Sequence, residues 1–386
     1  MKGGDPEYLP FALPDIGPEE IQEVIAALES GWITTGPRVG RFESDFAALL
    51  GTGVHAVAVN SATAGLHLAL EAYGIGAGNE VITTTHTFTA TADVIRYAGA
   101  TPVLVDIDLD SYCISPSAIA KRISPRTKAI IPVHFGGHPC DMDSVCACAR
   151  NAGIAVVEDA AHALPTRHRG RLIGTLESAA TVFSFYATKA ITTGEGGMLV
   201  TGDAELARRA RIMSLHGIDR GTYLRHRSDH PSWYYEIVTA GYKYNMTDIS
   251  AAIGIQQIRK VQRFHARRCA IAEQYDRDLA NLPLVLPPRP ANAADHAWHL
   301  YVVRLRDDLR VNRDEVISKL HEKGIGCSVH YVPLHQQPFW RDRYGLDPTE
   351  YPNSQKLYER GISLPIYTRM TDADQERVIS ALKACL

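Results

Sequence analysis

The stretch Val156-Val157-Glu158-Asp159-Ala160-Ala161-His162 runs from apolar, β-forming residues straight into two acids and then into small residues. A second stretch of the same kind follows, Thr181-Val182-Phe183-Ser184-Phe185-Tyr186-Ala187-Thr188-Lys189, and leads into Thr192-Thr193-Gly194-Glu195-Gly196-Gly197. Each reads as a strand that delivers its last side chains to a turn. Outward from them the pattern alternates. Val54 to Val59, Val81 to Thr84, Val103 to Val105, Ala129 to Val133 and Ile154 to Val157 read as strands, and Met198 to Val200 as a return strand. Ala64 to Tyr73, Thr89 to Ala98 and Asp141 to Asn151 carry apolar residues at helical spacing. Strands alternating with helices predict an α/β fold, a mostly parallel central sheet sandwiched by helices. In such sheets the chemistry sits beyond the carboxyl ends of the strands. The residues after Val59, Val157 and Phe185 all fall there.

From Ile249 to Leu279 the spacing is helical over a long stretch, with room for one break. Pro283, Pro287, Pro288 and Pro290 then punctuate a connector. Beyond it a strand is expected at Trp298–Leu305, a helix at Arg313–Lys323, a strand at Gly326–Tyr331 and a last helix at Asp372–Leu386. The division expected is a large unit over residues 1–247 with an N-terminal arm, and a small α+β unit over 248–386 entered by the long helix.

An acid at one strand end and a lysine at another are what a pyridoxal phosphate enzyme needs. The lysine forms the covalent bond to the cofactor, and the acid keeps the pyridine nitrogen protonated so that the ring accepts electrons. Lys189 and Asp159 are the pair. Asn60-Ser61-Ala62-Thr63-Ala64 joins a strand to a helix, so the amides of Ala62 and Thr63 and the Thr63 hydroxyl suit a phosphate; the same residues also suit a plain helix cap. Ser184 is a second phosphate candidate. Phe88 suits stacking on a flat ring, or a place in the core. His162 suits a hydrogen bond to the phenolic oxygen of the cofactor, or a place over its ring.

The chain has 386 residues, 45% hydrophobic and 22% charged, with a net charge of −3. That is ordinary globular composition and no recommendation for nucleic acid or an anionic membrane as partner. No apolar run is long enough to span a bilayer. Seven scattered cysteines point to reduced thiols and a cytoplasmic location. His134, His138 and Cys140 lack a fourth ligand at a zinc spacing. Asp106, Asp108 and Asp110 start like a calcium loop, but Ser111 stands where the glycine is required. No metal is expected, and no dinucleotide or Walker motif is present.

Taken together, Ser30-Gly31-Trp32-Ile33-Thr34-Thr35-Gly36-Pro37, Asn60-Ser61-Ala62-Thr63, Glu158 to Ala163, Phe183-Ser184-Phe185 with Lys189, and Gly194-Glu195-Gly196-Gly197 resemble the DegT/DnrJ/EryC1/StrS family of nucleotide-sugar aminotransferases. The resemblance runs from about Pro10 to the C-terminus. Gly241-Tyr242-Lys243-Tyr244-Asn245-Met246-Thr247-Asp248 and His296-Ala297-Trp298-His299-Leu300 resemble the members that aminate C4, among them UDP-4-amino-4-deoxy-L-arabinose aminotransferases. The resemblance implies a type I aminotransferase fold and a homodimer with shared active sites. It implies Lys189, Asp159 and His162 as catalytic residues, and Ala62, Thr63 and Ser184 on the cofactor phosphate. Phe88 would pack on the ring, and Asn245 would reach the neighbouring subunit's phosphate. Trp32, Thr34, Tyr186, His330 and Tyr331 would contact the sugar nucleotide. The family often has glycine where Ala62 stands.

The activity implied is transfer of an amino group from L-glutamate to a keto sugar on a nucleoside diphosphate, through the pyridoxal and pyridoxamine forms of the cofactor. Three rivals are a sugar dehydratase of the same fold, a non-catalytic regulator, and an aminotransferase of a 3-keto sugar or cyclitol ketone. The dehydratases carry histidine where Lys189 stands, and a regulator would need a DNA-binding module. The ketone is what sequence separates least well.

Overall fold

The structure, a computed structural model, describes residues 8–219 and 233–386. Helices α1 (Pro18–Glu29) and α2 (Pro37–Leu50) precede β1 (His55–Val59). Then α3 (Ala62–Ala72), β2 (Glu80–Thr84), α4 (Ala90–Tyr97), β3 (Thr101–Val105), α5 (Pro116–Arg122), β4 (Thr127–Ile131), α6 (Met142–Ala152) and β5 (Ala155–Asp159) follow in alternation. A short hairpin, β6 (Arg167–His168) with β7 (Arg171–Leu172), leads to β8 (Ala180–Ser184), β9 (Gly197–Thr201) and α7 (Ala204–Ser214).

Seven of these strands form one sheet in the order β1-β9-β8-β5-β4-β2-β3. From β8 to β3 every pairing is parallel, and β9 alone runs against its neighbours β8 and β1. The expected mostly parallel sheet is therefore present. Its strands are near-continuous apolar runs because helices cover both faces. All five residues of β2 and of β9 are buried. Every residue of α3 from Ala64 to Leu70 is buried too, wedged between the sheet and α4 and α7.

The long helical stretch is broken, as its length allowed, into α8 (Asp248–Ile258) and α9 (Val261–Leu279). α8 packs on α1 and α2, and its Ala251 and Ile255 join the core that holds Phe42, Phe46 and Phe185. α9 instead supplies Ile271, Tyr275 and Leu279 to a separate core around a second sheet. That sheet has three antiparallel strands, β10 (Leu284–Val285), β11 (Tyr301–Leu305) and β12 (Gly361–Leu364). Helices α10 (Arg313–Glu322), α11 (Pro338–Tyr344), α12 (Pro352–Arg360) and α13 (Asp372–Lys383) complete the chain.

Two expectations fail here. Gly326–Tyr331 is not a strand: within it only Ser328 bridges, to Ser363, and the third strand of the small sheet is β12. β11 begins at Tyr301, not Trp298, because Trp298 has a left-handed φ of 51° that no strand accommodates.

Candidate active site

The carboxyl ends of β1, β2, β5 and β8 converge on one cavity of about 460 Å³. Ala62, Thr63, Phe88, Asp159, His162, Ser184, Tyr186, Lys189, His330 and Tyr331 all line it. Ten of the residues singled out in the sequence thus meet in one place. Trp32, Thr34 and Asn245 are not among its walls.

Asp159 closes β5 and is buried. Thr91 Oγ1 donates to its Oδ2 at 2.8 Å, and the Ala161 amide donates to its Oδ1 at 3.1 Å. Burial pushes the Asp159 carboxyl up, against the pull of those donors and of Lys189. Lys189 sits partly buried at the wall, and burial brings its ammonium down to about 8, with Asp159 opposing. The pair thus offers an amine that sheds its proton near neutrality and, facing it, an acid that gains from a cation.

His162 receives the Gly136 amide on Nδ1 at 3.2 Å. A nitrogen that accepts carries no proton, so the ring proton is on Nε2, 3.0 Å from the Tyr331 hydroxyl. Burial first, then Lys189 and His330, hold His162 well below the usual imidazole range. It is a neutral donor. Phe88 is exposed at 59%, with its ring 6.0 Å from that of Tyr331, so it is a cavity aromatic and not a core one.

The cap and the phosphate cradle at Ser61–Thr63 turn out to be compatible. Ser61 Oγ accepts from the third helical amide, Ala64 N, at 3.1 Å. The amides of Ala62 and Thr63 are outside that bond, and both residues face the cavity. Gly197 explains how the cradle closes. It pairs with Val59 on one side and Ser184 on the other. A Cβ there would lie 2.7 Å from Ala62 N, so only glycine lets the helix start come down beside Ser184.

Asn245 and Thr34 line a second cavity, of about 680 Å³, together with Lys243. Asn245 Nδ2 donates to Thr35 Oγ1 at 2.7 Å, Lys243 Nζ donates to Asn245 Oδ1 at 2.6 Å, and Trp32 Nε1 donates to Thr35 O at 3.0 Å. Asp248 holds this corner together, accepting from the amides of Gly36, Arg38 and Val39 at the start of α2.

Sequence reading missed Thr91, which orients Asp159, and gave no role to His299, whose ring lies 4.4 Å from that of His162 on the same cavity. Nothing in Thr89-Ala90-Thr91 marks a threonine in the first turn of a helix as an acid's partner. The doubtful ligands His134 and Cys140 are explained without a metal. His134 Nδ1 accepts from the Cys140 amide at 3.0 Å and Nε2 donates to the buried Glu158 at 2.9 Å. Ser178 and Thr181 hydroxyls also donate to Glu158. Among the described residues no helix is long and apolar enough to cross a membrane.

A cavity with a lysine and an acid at its wall, a helix N-terminus beside a serine and an antiparallel β9 inside a parallel sheet define a pyridoxal-phosphate-dependent aminotransferase. The chain belongs to the DegT/DnrJ/EryC1/StrS aminotransferase family, which it matches over residues 14–383. It is 47% identical over 378 residues to the spore coat polysaccharide biosynthesis protein SpsC of Bacillus subtilis, spanning 97% of this chain and 96% of that one. Its fold superposes on Spr1654 of Streptococcus pneumoniae in the pyridoxamine phosphate form with a TM-score of 0.91, at 34% identity and 98% of each chain. It superposes on PseC of Helicobacter pylori, an aminotransferase involved in pseudoaminic acid biosynthesis, with a TM-score of 0.89, at 28% identity over 98% of this chain and 99% of that one. The cofactor is pyridoxal phosphate, and the enzyme is a sugar aminotransferase of the type I fold.

Proposed function

We propose that this enzyme aminates C4 of a 4-keto sugar carried on a nucleoside diphosphate, with L-glutamate as donor, as a homodimer whose sites draw on both chains. The observation that carries this reading is the split of the candidate residues. Lys189, Asp159 and His162 share one cavity, while Thr34, Lys243 and Asn245 line another. A second copy of the chain would bring that second group to the first.

When bound, pyridoxal phosphate supplies a carbonyl that takes up the amino group and a ring that spreads negative charge. Within this reading Asp159, buried and fixed by Thr91, would hold the proton of the ring nitrogen. Lys189 would hold the cofactor's carbonyl carbon until the donor amine takes its place. With its amine brought down to about 8, Lys189 would be the base for the donor's α-proton and would deliver that proton to the cofactor's carbon. His162 donates Nε2–H on the hydroxyl side. The amides of Ala62 and Thr63, with Ser184, hold the phosphate at a helix N-terminus. Phe88 would cover the ring, and Asn245 from the other subunit would complete the phosphate shell. Tyr186, His330 and Tyr331 meet the sugar nucleotide, joined by Trp32 and Thr34 across the interface.

The choice of C4 is supported by the resemblance through Gly241–Asp248 and Ala297–His299. It is also supported by geometry: a substrate anchored by its diphosphate presents one carbon, and a misplacement of about 1 Å costs roughly a hundredfold in rate. The cytoplasmic location belongs to this reading, as does the division into two units. The division we propose stays at 247 and 248, although α8 and the start of α9, through Val261 and Phe264, pack on the core of the large unit. The test is incubation with glutamate and, separately, a dTDP-4-keto-6-deoxy sugar, a dTDP-3-keto-6-deoxy sugar and a UDP-4-keto pentose, read by mass spectrometry. Turnover of a 4-keto sugar is expected. Turnover of the 3-keto sugar alone would put the amine on the wrong carbon for this reading.

A further inference from the structure

Arg268, on α9, is 4% exposed. Its Nη1 donates to the carbonyl oxygens of Ile366 at 2.9 Å, Trp298 at 3.0 Å and His299 at 3.4 Å. Nε is buried without a partner. No carboxylate is among these contacts, and guanidinium stays charged at neutral pH even though burial brings it down to about 10. A cation taken out of water with no acid beside it is unfavourable, and its three carbonyls show where it acts.

Those carbonyls lead to the active site. Trp298, in its left-handed conformation, donates its amide to His296 Nδ1 at 2.8 Å and stacks on the His296 ring at 3.9 Å. On either side of it, the amides of Ala297 and Leu300 donate to Gly137 O and Gly136 O, each at 3.0 Å. Gly136 N is the donor that fills His162 Nδ1. The His299 ring is 4.4 Å from the His162 ring, and its Nδ1 is buried without a partner. His162 faces Lys189 and His330; His299 faces His162, Lys189 and His330, with Arg268 as a further charge.

We propose that Arg268 is a positioning residue: it holds the Trp298–His299 turn, which through Gly136 fixes the His162 proton on Nε2 at the cavity side, and its uncompensated charge disfavours a second charge on His299. Burial, and then the cations and histidines around them, hold both imidazoles well below their usual range. Only the use of that proton toward the cofactor rests on the function proposed above; the tautomer does not.

The test uses holoenzyme labelled with nitrogen-15 in its histidines. Arg268→Met removes charge and donors, Arg268→Gln removes the charge but keeps donors, and Arg268→Lys keeps the charge. In the unaltered enzyme His162 is expected as the Nε2–H tautomer from about pH 5 to about pH 8. In the two neutral variants a buried histidine gains a titration, its midpoint raised by about one unit or more. Arg268→Lys stays near the unaltered enzyme, and adding His299→Phe to Arg268→Gln abolishes the new titration. Arg268→Gln decides the matter if Arg268→Met does not fold. Histidine spectra that stay unchanged in the neutral variants would leave Arg268 a structural residue and overturn the proposal. The visible band of the cofactor separates this from the role of His162: a shifted titration with an unmoved band keeps Arg268 and removes the cofactor contact.

Discussion

Thr91 Oγ1 lies 2.8 Å from Asp159 Oδ2 and gives it its only proton, while Thr87 Oγ1, also 2.8 Å away, donates to Thr91 in turn. A hydroxyl chain from the turn after β2 into the first turn of α4 therefore orients the acid at the end of β5. Thr91→Val keeps the shape and removes the donor. It is expected to lower kcat about tenfold, the value of one hydrogen bond to a charged group. Asp159→Asn removes the charge and is expected to lower kcat by a factor of about a hundred to a thousand, on the scale of an electrostatic transition-state contact. Steady-state rates with saturating cofactor measure both. Near-normal rates in Asp159→Asn would remove the acid from the mechanism.

Lys189 reacts with the cofactor only as a free amine. Burial brings it down to about 8, so the fraction able to react rises as pH passes through that value and levels above it. Capture of pyridoxal phosphate by the apo-enzyme, followed by absorbance, is expected to rise through about pH 8 and then level. Lys189→Ala is expected to fold, to show no covalent band and to turn nothing over. A borohydride-reducible adduct in that variant would place the bond elsewhere.

Gly197 makes room for the start of α3. Gly197→Ala puts a methyl 2.7 Å from Ala62 N, which forces the two amides away from Ser184. Cofactor phosphate affinity is expected to fall about tenfold or more, the value of a lost charge-assisted hydrogen bond. Titration of the apo-enzyme with pyridoxal phosphate checks it, and unchanged affinity would place the phosphate elsewhere.

Subunit sharing is tested by mixing. Lys189→Ala and Asn245→Ala chains are each expected to be inactive. If the two residues serve opposite sites, each mixed dimer regains one intact site. After random exchange about a quarter of the unaltered activity should return. No recovery after demonstrated exchange would place both residues in the same site.

His134 and Glu158 form a buried pair behind Asp159, 2.9 Å apart. Although burial pushes the Glu158 carboxyl up, His134, Ser178 and Thr181 outweigh it and hold it low. A lowered carboxyl stabilises the fold at neutral pH and loses that contribution as pH falls through its folded value. His134→Leu removes one of the three donors to the buried carboxylate and is expected to destabilise by about 1.5–3 kcal/mol, measured by urea unfolding at neutral pH. His134→Leu with Glu158→Leu should cost less than the single change, because no charge is then stranded.

What the sequence determined by itself was local. Strand ends at Val59, Asp159 and Ser184 were legible because apolar runs buried on both faces stop where small polar residues start. Lys189, Asp159 and the Ala62–Thr63 amides were legible for the same reason: each lies at such an end or within a few residues beyond it, and parallel strands deliver their ends to one edge of the sheet. Tertiary structure decided what depends on pairs far apart in the chain. Gly361–Leu364, four residues long, carries no pattern of its own and became a strand only by pairing with β11. Gly326–Tyr331 had strand composition but lost its place in the sheet to it. Thr91 became the partner of Asp159, and Arg268 that of Trp298 and His299, through hydrogen bonds that leave no spacing in the sequence. The separation of Asn245 and Thr34 from Lys189 was likewise decided by the fold, since Asn245 bridges Val59 and donates to Thr35, and Asp248 caps the start of α2 at a second cavity.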